Sequence, residues 1–272
     1  MNSDWAGKRL GVIGAGNMAE AIVRGVIDSG VLAAEAIHVY DPLPERRDIF
    51  SGLGCHAYPE PAQAAGREFV LLAVKPQSLR QAMAEVKTFL SADAVLLSIV
   101  AGVSINSLAN LVTPGLRLVR IMPNTPLLVG QGMTSLARGA GVGEADMRRA
   151  TSLFAAAGQV VEVKESDLDA VTALSGSGPA YLFAFAEALE AAGQGLGLSP
   201  DLARQLTVQT LRGASEMLAR GGEASELRER VTSRGGTTAA ALAVFRERGL
   251  ADLVQAALTA SRDRSVELGR EA

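Results

Sequence analysis

The chain has 272 residues, which exceeds the usual size of a single domain and predicts two domains. Apolar residues make up 48% of the sequence, so each domain can bury a core, and this argues against intrinsic disorder. The 26 basic and 29 acidic residues give a net charge of −3 without long blocks of one sign, which argues against a nucleic-acid partner.

The N-terminus and the single cysteine bear on the cellular compartment. Residues 1–8 lack the basic start and apolar run of a secretory signal, and the chain contains no run of about 20 apolar residues. Cys55 has no partner for a disulfide, and with His38 and His56 it makes no zinc-type spacing. We therefore predict a cytoplasmic protein with no membrane segment, no metal site and a buried Cys55 thiol.

The first half of the chain alternates short β-rich runs with segments of helical period, as βαβ units do. We predict five strands there and two later runs that extend the edge of the sheet. The strands span residues 9–13, 37–40, 69–74, 95–99 and 116–122, and the edge runs span 133–136 and 159–163. The pattern predicts an α/β domain over residues 1–165.

After Ser166 the β signals stop, and Ala- and Leu-rich segments predict an all-helical domain over residues 166–272. The predicted helices span residues 167–174, 180–193, 200–219, 223–230, 239–246 and 250–267. The run 181–186 is apolar nearly all round, and residues 253, 256, 257 and 260 form an apolar stripe at helical spacing. Helices of this kind predict burial against a second subunit; the alternative is that they pack only on one another within one chain.

A glycine-rich turn follows the first predicted strand. Gly14, Gly16 and Ala19 fit the G-x-G-x-x-G/A pattern in the strand–turn–helix context that gives it meaning. Gly14 permits the tight turn, Gly16 leaves room for a pyrophosphate, and the helix start offers free N–H groups. We predict a dinucleotide site here; the alternative is a glycine turn made only for packing. The predicted contacts are Gly14, Ala15, Gly16, Asn17 and Met18.

The end of the second predicted strand bears on the cofactor's adenosine ribose. Asp41 ends that strand, where an acidic residue hydrogen-bonds the ribose and disfavours a 2′-phosphate, which indicates NAD. Arg46 and Arg47 follow, and guanidinium groups match phosphate geometry, which indicates NADP. A third interpretation treats both arginines as solvated surface charges. These residues leave both cofactors open.

Two clusters of glycine and hydroxyl residues lie in the helical half, at residues 175–181 and 231–239. In the second cluster, glycines precede Thr237 and Thr238 at a helix start, so free N–H groups and hydroxyls can converge on a carboxylate. In the first, Pro179 suits a first helical position near serine hydroxyls. The alternative for both clusters is ordinary helix capping.

The absence of histidine from both clusters limits the reactions that they could catalyse. Neither histidine lies in a cluster, so no Ser-His-Asp triad can be assembled and hydrolysis by a triad is disfavoured. Reduction of a ketone creates an alkoxide that needs a strong proton donor, whereas a cyclic imine can be protonated before hydride arrives. Weak hydroxyl donors then suffice.

The sequence resembles the pyrroline-5-carboxylate reductase family along its whole length. The resemblance rests on Gly11 to Ala19, Ala73-Val74-Lys75-Pro76, Met122-Pro123-Asn124-Thr125-Pro126, Asp169-Ala170-Val171-Thr172 and both glycine–hydroxyl clusters. It implies an N-terminal Rossmann domain and an all-α dimerisation domain that interleaves with a second subunit, the homodimers gathering into a larger ring such as a decamer. The implied reaction is hydride transfer to 1-pyrroline-5-carboxylate, giving L-proline, with NADPH as the expected cofactor and NADH as the alternative.

The resemblance also implies roles for individual residues. Thr172 would meet the ring nitrogen, and Thr238 would be foremost in holding the substrate carboxylate. Without the resemblance, Lys75 would be a surface lysine and Asn124 a turn residue. The implied cofactor contacts are Val74, Lys75, Pro76 and Asn124, and the implied substrate contacts are Val231, Ser233, Gly235, Gly236, Thr237 and Thr238.

Two positions depart from the family pattern. Arg234 stands where the family commonly has proline, which makes the turn less stiff. Asp41 stands where NADPH-using relatives often carry a small polar residue, so the cofactor preference stays open.

Two rival functions differ from the implied one. A hydroxy-acid or keto-acid reductase resembling the 6-phosphogluconate dehydrogenase relatives would carry a catalytic lysine after the domain junction, and residues 167–190 contain none. A dinucleotide-binding redox sensor would bind the cofactor without turnover.

Overall fold

The computed structural model describes residues 3–271 of the chain. They form two compact units: the residues up to 177 together with those from 261 onward, and residues 178–260. The predicted functional boundary between residues 165 and 166 stays a prediction. In space, the segment just after that boundary belongs to the first unit, because Asp169 is hydrogen-bonded to Arg120 of the sheet and to Ser265 of the last helix.

The first unit is built on one eight-stranded sheet. Its strands are β1 Leu10–Ile13, β2 Ile37–Tyr40, β3 His56–Tyr58, β4 Phe69–Leu72, β5 Val95–Ser98, β6 Arg117–Met122, β7 Gly132–Arg138 and β8 Gly158–Glu162. The spatial order is β3-β2-β1-β4-β5-β6-β7-β8, and only the β6–β7 pair is antiparallel. The first six strands have the order of a Rossmann fold, so the predicted α/β class is confirmed.

The seven predicted strands are confirmed within two residues at each end, and one strand was missed. The missed strand is β3, a three-residue edge strand of His56, Ala57 and Tyr58 that pairs with β2. Its sequence lacks an apolar alternation, so local pattern did not indicate it. The fourth strand ends at Leu72, two residues earlier than predicted, and the chain then leaves the sheet.

Helices cover both faces of this sheet. They are α1 Asn17–Asp28, α2 Pro44–Gly52, α3 Ala62–Ala65, α4 Leu79–Val86, α5 Ile105–Ala109, α6 Glu144–Ala155 and α7 Leu168–Val171, the last running into a π-helical turn at Thr172–Gly176. The central strands β1, β2, β4 and β5 are buried along their whole length, as strands covered on both faces are. The short helix α3 approaches β1 so closely that a Cβ at Gly11 would overlap the Ala64 carbonyl oxygen.

The second unit is helical, as predicted. It contains α8 Gly178–Gly195, α9 Pro200–Ala219, α10 Ala224–Arg230, α11 Thr237–Glu247 and the first half of α12 Leu250–Glu271. The remainder of α12 belongs to the first unit, where a Cβ at Gly269 would lie 2.6 Å from the Gly102 carbonyl oxygen.

Three smaller expectations can be compared with the described residues. Cys55 is a free, buried thiol, and burial raises its pKa to about 11, so that prediction is confirmed. Within residues 3–271, none of the helices combines the length and apolar character needed to cross a bilayer. The same residues contain no cluster of three or more His, Cys, Asp or Glu side chains suited to a metal ion.

Candidate functional site

A cleft of about 860 Å³ opens at the carboxyl ends of β1, β2 and β4, where the strand order reverses. Open α/β sheets bind their ligands at this topological position, and the volume is in the range of ligand pockets. Nine of the ten predicted cofactor residues line the cleft, and they are Gly14, Gly16, Asn17, Met18, Asp41, Val74, Lys75, Pro76 and Asn124. The tenth, Ala15, is fully buried, and its peptide group forms part of the turn.

The glycine turn fits a pyrophosphate. Gly14 has φ +93°, a conformation that favours glycine, and a Cβ there would lie 2.9 Å from the Ala73 carbonyl oxygen. A Cβ at Gly16 would meet nothing within 4 Å, so the backbone borders open space. Helix α1 starts at Asn17 and its cap residue Gly16 has no side chain to satisfy the first N–H groups. Those N–H groups are available to an anion, as the sequence predicts for this helix start.

Asp41 and Arg46 both hydrogen-bond to the backbone of Ala15, the middle residue of that turn. The Ala15 N–H donates to Asp41 Oδ2 at 2.7 Å, and Arg46 Nε donates to the Ala15 carbonyl oxygen at 2.5 Å. The other Asp41 oxygen accepts the Leu43 N–H at 2.9 Å, and Arg46 Nη2 pairs with Glu20 at 3.0 Å. Arg46 lines the cleft.

Arg47 has a different role from its neighbour. Its guanidinium donates to the carbonyl oxygens of Asp41 and Pro42 at 2.7 and 2.8 Å, and it is not among the residues that line the cleft. Both arginines are half-buried and hydrogen-bonded. The interpretation of the pair as free surface charges is therefore wrong.

The lining of the cleft includes three polar residues that sequence reasoning missed, Tyr40 of β2 and Gln81 and Glu85 of α4. The Tyr40 hydroxyl donates to Glu85 Oε2 at 2.7 Å, and Gln81 donates to Glu85 Oε1 at 3.2 Å. Burial and then the bond to Glu85 raise the pKa of Tyr40 to about 12, so its hydroxyl stays protonated. Only the position of Tyr40 beside Asp41, at the end of a predicted strand, could have indicated these residues.

Asn124 connects the cleft to the first glycine–hydroxyl cluster. Its Oδ1 accepts the Met133 N–H at 2.9 Å, and its Nδ2 lies 3.2 and 3.3 Å from the carbonyl and hydroxyl oxygens of Ser175. The carboxamide is thus engaged on both sides by protein groups. Its clear structural role is to hold the π-helical turn against β7.

Thr172 begins that π-helical turn. Its hydroxyl donates to the Leu168 carbonyl oxygen at 2.7 Å, so its oxygen lone pairs remain as hydrogen-bond acceptors. Gly176, at the end of the turn, lines the cleft and packs so tightly on Met122 that a Cβ would overlap the methionine methyl group. The last residue of the π-helical turn, Gly176, therefore forms part of the cleft wall.

The second glycine–hydroxyl cluster lies in the second compact unit. Helix α11 starts at Thr237, and its cap residue Gly236 has an extended backbone and no capping side chain. Gly235 has φ +72°, and the Gly236 N–H donates to the Ser233 carbonyl oxygen at 3.0 Å. A side-chain cap is therefore absent at this helix start, which leaves N–H groups for an anion. Val231 and Thr237 are exposed and Thr238 is half-buried.

Comparisons with known proteins agree with this architecture. Residues 165–268 match a family model described as pyrroline-5-carboxylate reductase dimerisation, and residues 9–102 match one described as NADP oxidoreductase coenzyme F420-dependent. The chain is 40% identical to a pyrroline-5-carboxylate reductase of Corynebacterium melassecola, covering 96% of this chain and 98% of that one. It is 38% identical to the Arabidopsis thaliana pyrroline-5-carboxylate reductase, covering 96% of each.

Solved structures of pyrroline carboxylate reductases are also similar to this chain in three dimensions. A pyrroline-5-carboxylate reductase from Coxiella burnetii superposes with a TM-score of 0.90 at 36% identity, covering 96% of this chain and 98% of that one. A Plasmodium falciparum pyrroline carboxylate reductase with NADP bound superposes with a TM-score of 0.87 at 30% identity and the same coverage.

Proposed function

The chain belongs to the pyrroline-5-carboxylate reductase family, and from this we propose that it reduces the cyclic imine of 1-pyrroline-5-carboxylate to L-proline, the last step of proline biosynthesis. The observation that carries the proposal is an identity of 40% over nearly the whole of both chains. The reaction is an NAD(P)H-dependent reduction of a C=N bond, and the sheet unit contains the cleft that such a cofactor requires.

NADPH is the cofactor, with NADH as a possible substitute, and it supplies the hydride when bound. The residues of the glycine turn and the start of α1 fit its pyrophosphate because they combine open space at Gly16 with uncapped N–H groups. Val74, Lys75 and Pro76 border the same cleft where the chain leaves β4. We assign Asn124 to the cofactor's surroundings, where it positions the π-helical turn.

The substrate carboxylate is assigned to the turn before α11. The start of that helix has no capping side chain, and two threonine hydroxyls follow Gly236, which supports an anion-binding role. The residues of this proposed site are Val231, Ser233, Gly235, Gly236, Thr237 and Thr238. A carboxylate held by backbone N–H groups would keep the imine carbon in one orientation for hydride transfer.

Thr172 is assigned to the imine nitrogen. Because its hydroxyl hydrogen is committed to the Leu168 carbonyl, its oxygen would accept a hydrogen bond from a protonated imine. That role stabilises the iminium that receives hydride, with a water molecule as the alternative proton carrier.

The assembly and location complete the proposal. Residues 166–272 would form the dimerisation and substrate-binding domain of a homodimer, and the homodimers would gather into a larger ring such as a decamer. The match of residues 165–268 to a dimerisation model supports the dimer. We place the protein in the cytoplasm, with no nucleic-acid or membrane partner.

The proposal is tested by following oxidation of NADPH, and separately of NADH, with 1-pyrroline-5-carboxylate. We expect proline to accumulate in equal amount to the oxidised cofactor. A hydroxy-acid or keto-acid reductase would instead turn over a 2-keto acid supplied in parallel. A redox sensor would bind NADPH and turn over neither substrate.

Thr238→Ala tests the carboxylate site. Loss of one hydrogen bond to a charged group costs roughly 1.5–3 kcal/mol, so we expect the KM for the imine acid to rise at least about tenfold while the KM for NADPH stays constant. Thr232→Ala is the matched control, because the Thr232 hydroxyl donates to the Arg228 carbonyl oxygen at 2.6 Å within its own segment. Unchanged kinetics in Thr238→Ala would remove Thr238 from the site.

A further inference from the structure

At the end of the cleft near β2, the backbone of one residue, Ala15, is hydrogen-bonded to an acidic and to a basic side chain. Ala15 donates its N–H to Asp41 and accepts a hydrogen bond from Arg46 at its carbonyl oxygen. These two side chains are the ones that the sequence presents as opposing indicators of NAD and NADP. In the structure, both carboxylate oxygens of Asp41 are bonded to backbone N–H groups, whereas Arg46 lines the cleft with N–H donors to spare.

Asp41 is committed to the protein backbone. Each of its carboxylate oxygens accepts a backbone N–H, from Ala15 at 2.7 Å and from Leu43 at 2.9 Å, and the residue is only 9% exposed. Two N–H donors stabilise the carboxylate and partly screen its charge. The repulsion that an acidic residue normally exerts on a 2′-phosphate is weakened accordingly.

Arg46 keeps donors available. A guanidinium has five N–H donors in a fixed fork, and within the described part of the chain Ala15 and Glu20 take two of those of Arg46. The side chain is 22% exposed and lines the cleft. A half-buried guanidinium with free N–H groups beside the ribose position matches the geometry of a phosphate.

Glu20 fixes the orientation of that fork. It lies in the first turn of α1, and its two oxygens pair with Arg24 and Arg46, each at 3.0 Å. Because the Ala15 carbonyl holds Nε and Glu20 holds Nη2, the guanidinium plane is set before any ligand arrives. Preorganisation of this kind lowers the entropy cost of binding.

We propose that Arg46, oriented by Glu20, recognises the 2′-phosphate of NADPH, and that Asp41 supports the glycine turn without selecting against that phosphate. The inference rests on the proposed function, because it assigns the cofactor specificity of the same cleft. Arg46 is the specificity-determining residue and Glu20 is its positioning residue.

The experiment measures binding without catalysis. Adenosine 2′,5′-bisphosphate and adenosine 5′-monophosphate differ only in the 2′-phosphate, and calorimetry gives the affinity of each for the full-length protein. We expect the bisphosphate to bind the unmodified chain at least about tenfold more tightly, as a charge-assisted hydrogen bond predicts. Arg46→Gln should remove that preference and leave the affinity for the monophosphate within threefold.

Arg47→Gln is the matched control, because Arg47 neighbours Arg46 on the same helix and is not among the cleft-lining residues. It should keep the preference for the bisphosphate. Equal preference in Arg46→Gln and the unmodified chain would overturn the proposal, as would loss of the preference in Arg47→Gln alone. Circular dichroism and thermal unfolding of each variant establish that it is folded.

Two further variants test the assigned roles of the carboxylates. Asp41→Asn should weaken both nucleotides to a similar extent, because it disturbs the turn; a selective gain for the bisphosphate would show that Asp41 selects against the 2′-phosphate. Glu20→Ala should lower the bisphosphate preference about threefold, and Glu20→Gln, which keeps an acceptor oxygen, should restore it. A preference that rises in Glu20→Ala would show that Glu20 competes with the phosphate.

The two proposals fail separately. If the chain reduces the imine and Arg46→Gln keeps the bisphosphate preference, the specificity inference fails and the reductase function stands. If the chain does not reduce the imine, the reductase function fails, while nucleotide binding by Arg46 variants is still measurable.

Discussion

In the first unit, the residues of β1, β2, β4 and β5 are all buried, whereas in residues 178–260 only Ala203 and Thr207 are buried. Phe183 and Leu253 of the second unit are 66% and 67% exposed. Exposed apolar surface on this scale marks a binding surface. The sheet unit thus contains its own core, whereas the helical unit exposes apolar side chains and lies within the residues that match a family model for dimerisation.

The largest expected effect breaks the self-contained unit. In Gly11→Ala the new Cβ would overlap the Ala64 carbonyl oxygen, so β1 and α3 must separate. We expect a loss of about 3 kcal/mol or more in the free energy of unfolding, measured by denaturant titration. Gly52→Ala is the control, because Gly52 ends α2 and a Cβ there meets nothing within 4 Å. Equal stability of the two variants would contradict the close packing of α3 on β1.

The next effect separates the partners without unfolding the sheet unit. Phe183→Asp places a charge on the exposed apolar surface of α8, and we expect self-association to weaken by roughly 2–4 kcal/mol, as for an interface hot spot. Analytical ultracentrifugation measures the change. Gln194→Asp adds the same charge at an exposed polar position on that helix and should leave association intact. A dimer of unchanged affinity in Phe183→Asp would remove this surface from the interface.

The smallest expected effect is a pH dependence of stability that arises in the sheet unit. His38 is 5% exposed, and burial, with the nearby charges of Arg67, His56 and Arg9, lowers its pKa from 6.5 to about 4. Between these values the unfolded chain binds the proton and the folded chain does not, so stability falls as pH drops from 6.5 towards 4. The loss is of the order of 1–3 kcal/mol and should be confined to the sheet unit.

Thermal unfolding at pH 7 and pH 5 measures this loss. His38→Gln removes the titrating group, so its unfolding temperature should fall less between the two pH values than that of the unmodified chain. His56→Gln is the comparison variant: His56 is exposed, and it should keep most of the pH response because burial is the largest cause of the lowered His38 pKa. An identical pH response in His38→Gln would show that another group is responsible.

Much of the sheet and the cofactor turn was predictable because their signals are local. Apolar runs indicated seven of the eight strands, and the spacing of Gly14, Gly16 and Ala19 indicated the turn at the cleft. β3 escaped prediction because it is held by pairing with β2 rather than by its own pattern. The sequence predicted Asn124 as a neighbour of the cofactor. It did not predict the hydrogen bonds of Asn124 to Met133 and Ser175, because those partners lie 9 and 51 residues away.

By itself, the sequence determined the α/β class, the helical second half and the family, because periodicity, glycine spacing and motif order are properties of neighbouring residues. Tertiary structure alone decided that Asp41 and Arg46 both hydrogen-bond to the Ala15 backbone. These residues are 26 and 31 positions from Ala15, and the parallel pairing of β1 with β2 brings them together. Hydrogen-bond geometry at that distance along the chain depends on the packed sheet, so no local pattern encodes that both Asp41 oxygens accept backbone N–H groups or that Arg46 bonds to Ala15 and Glu20.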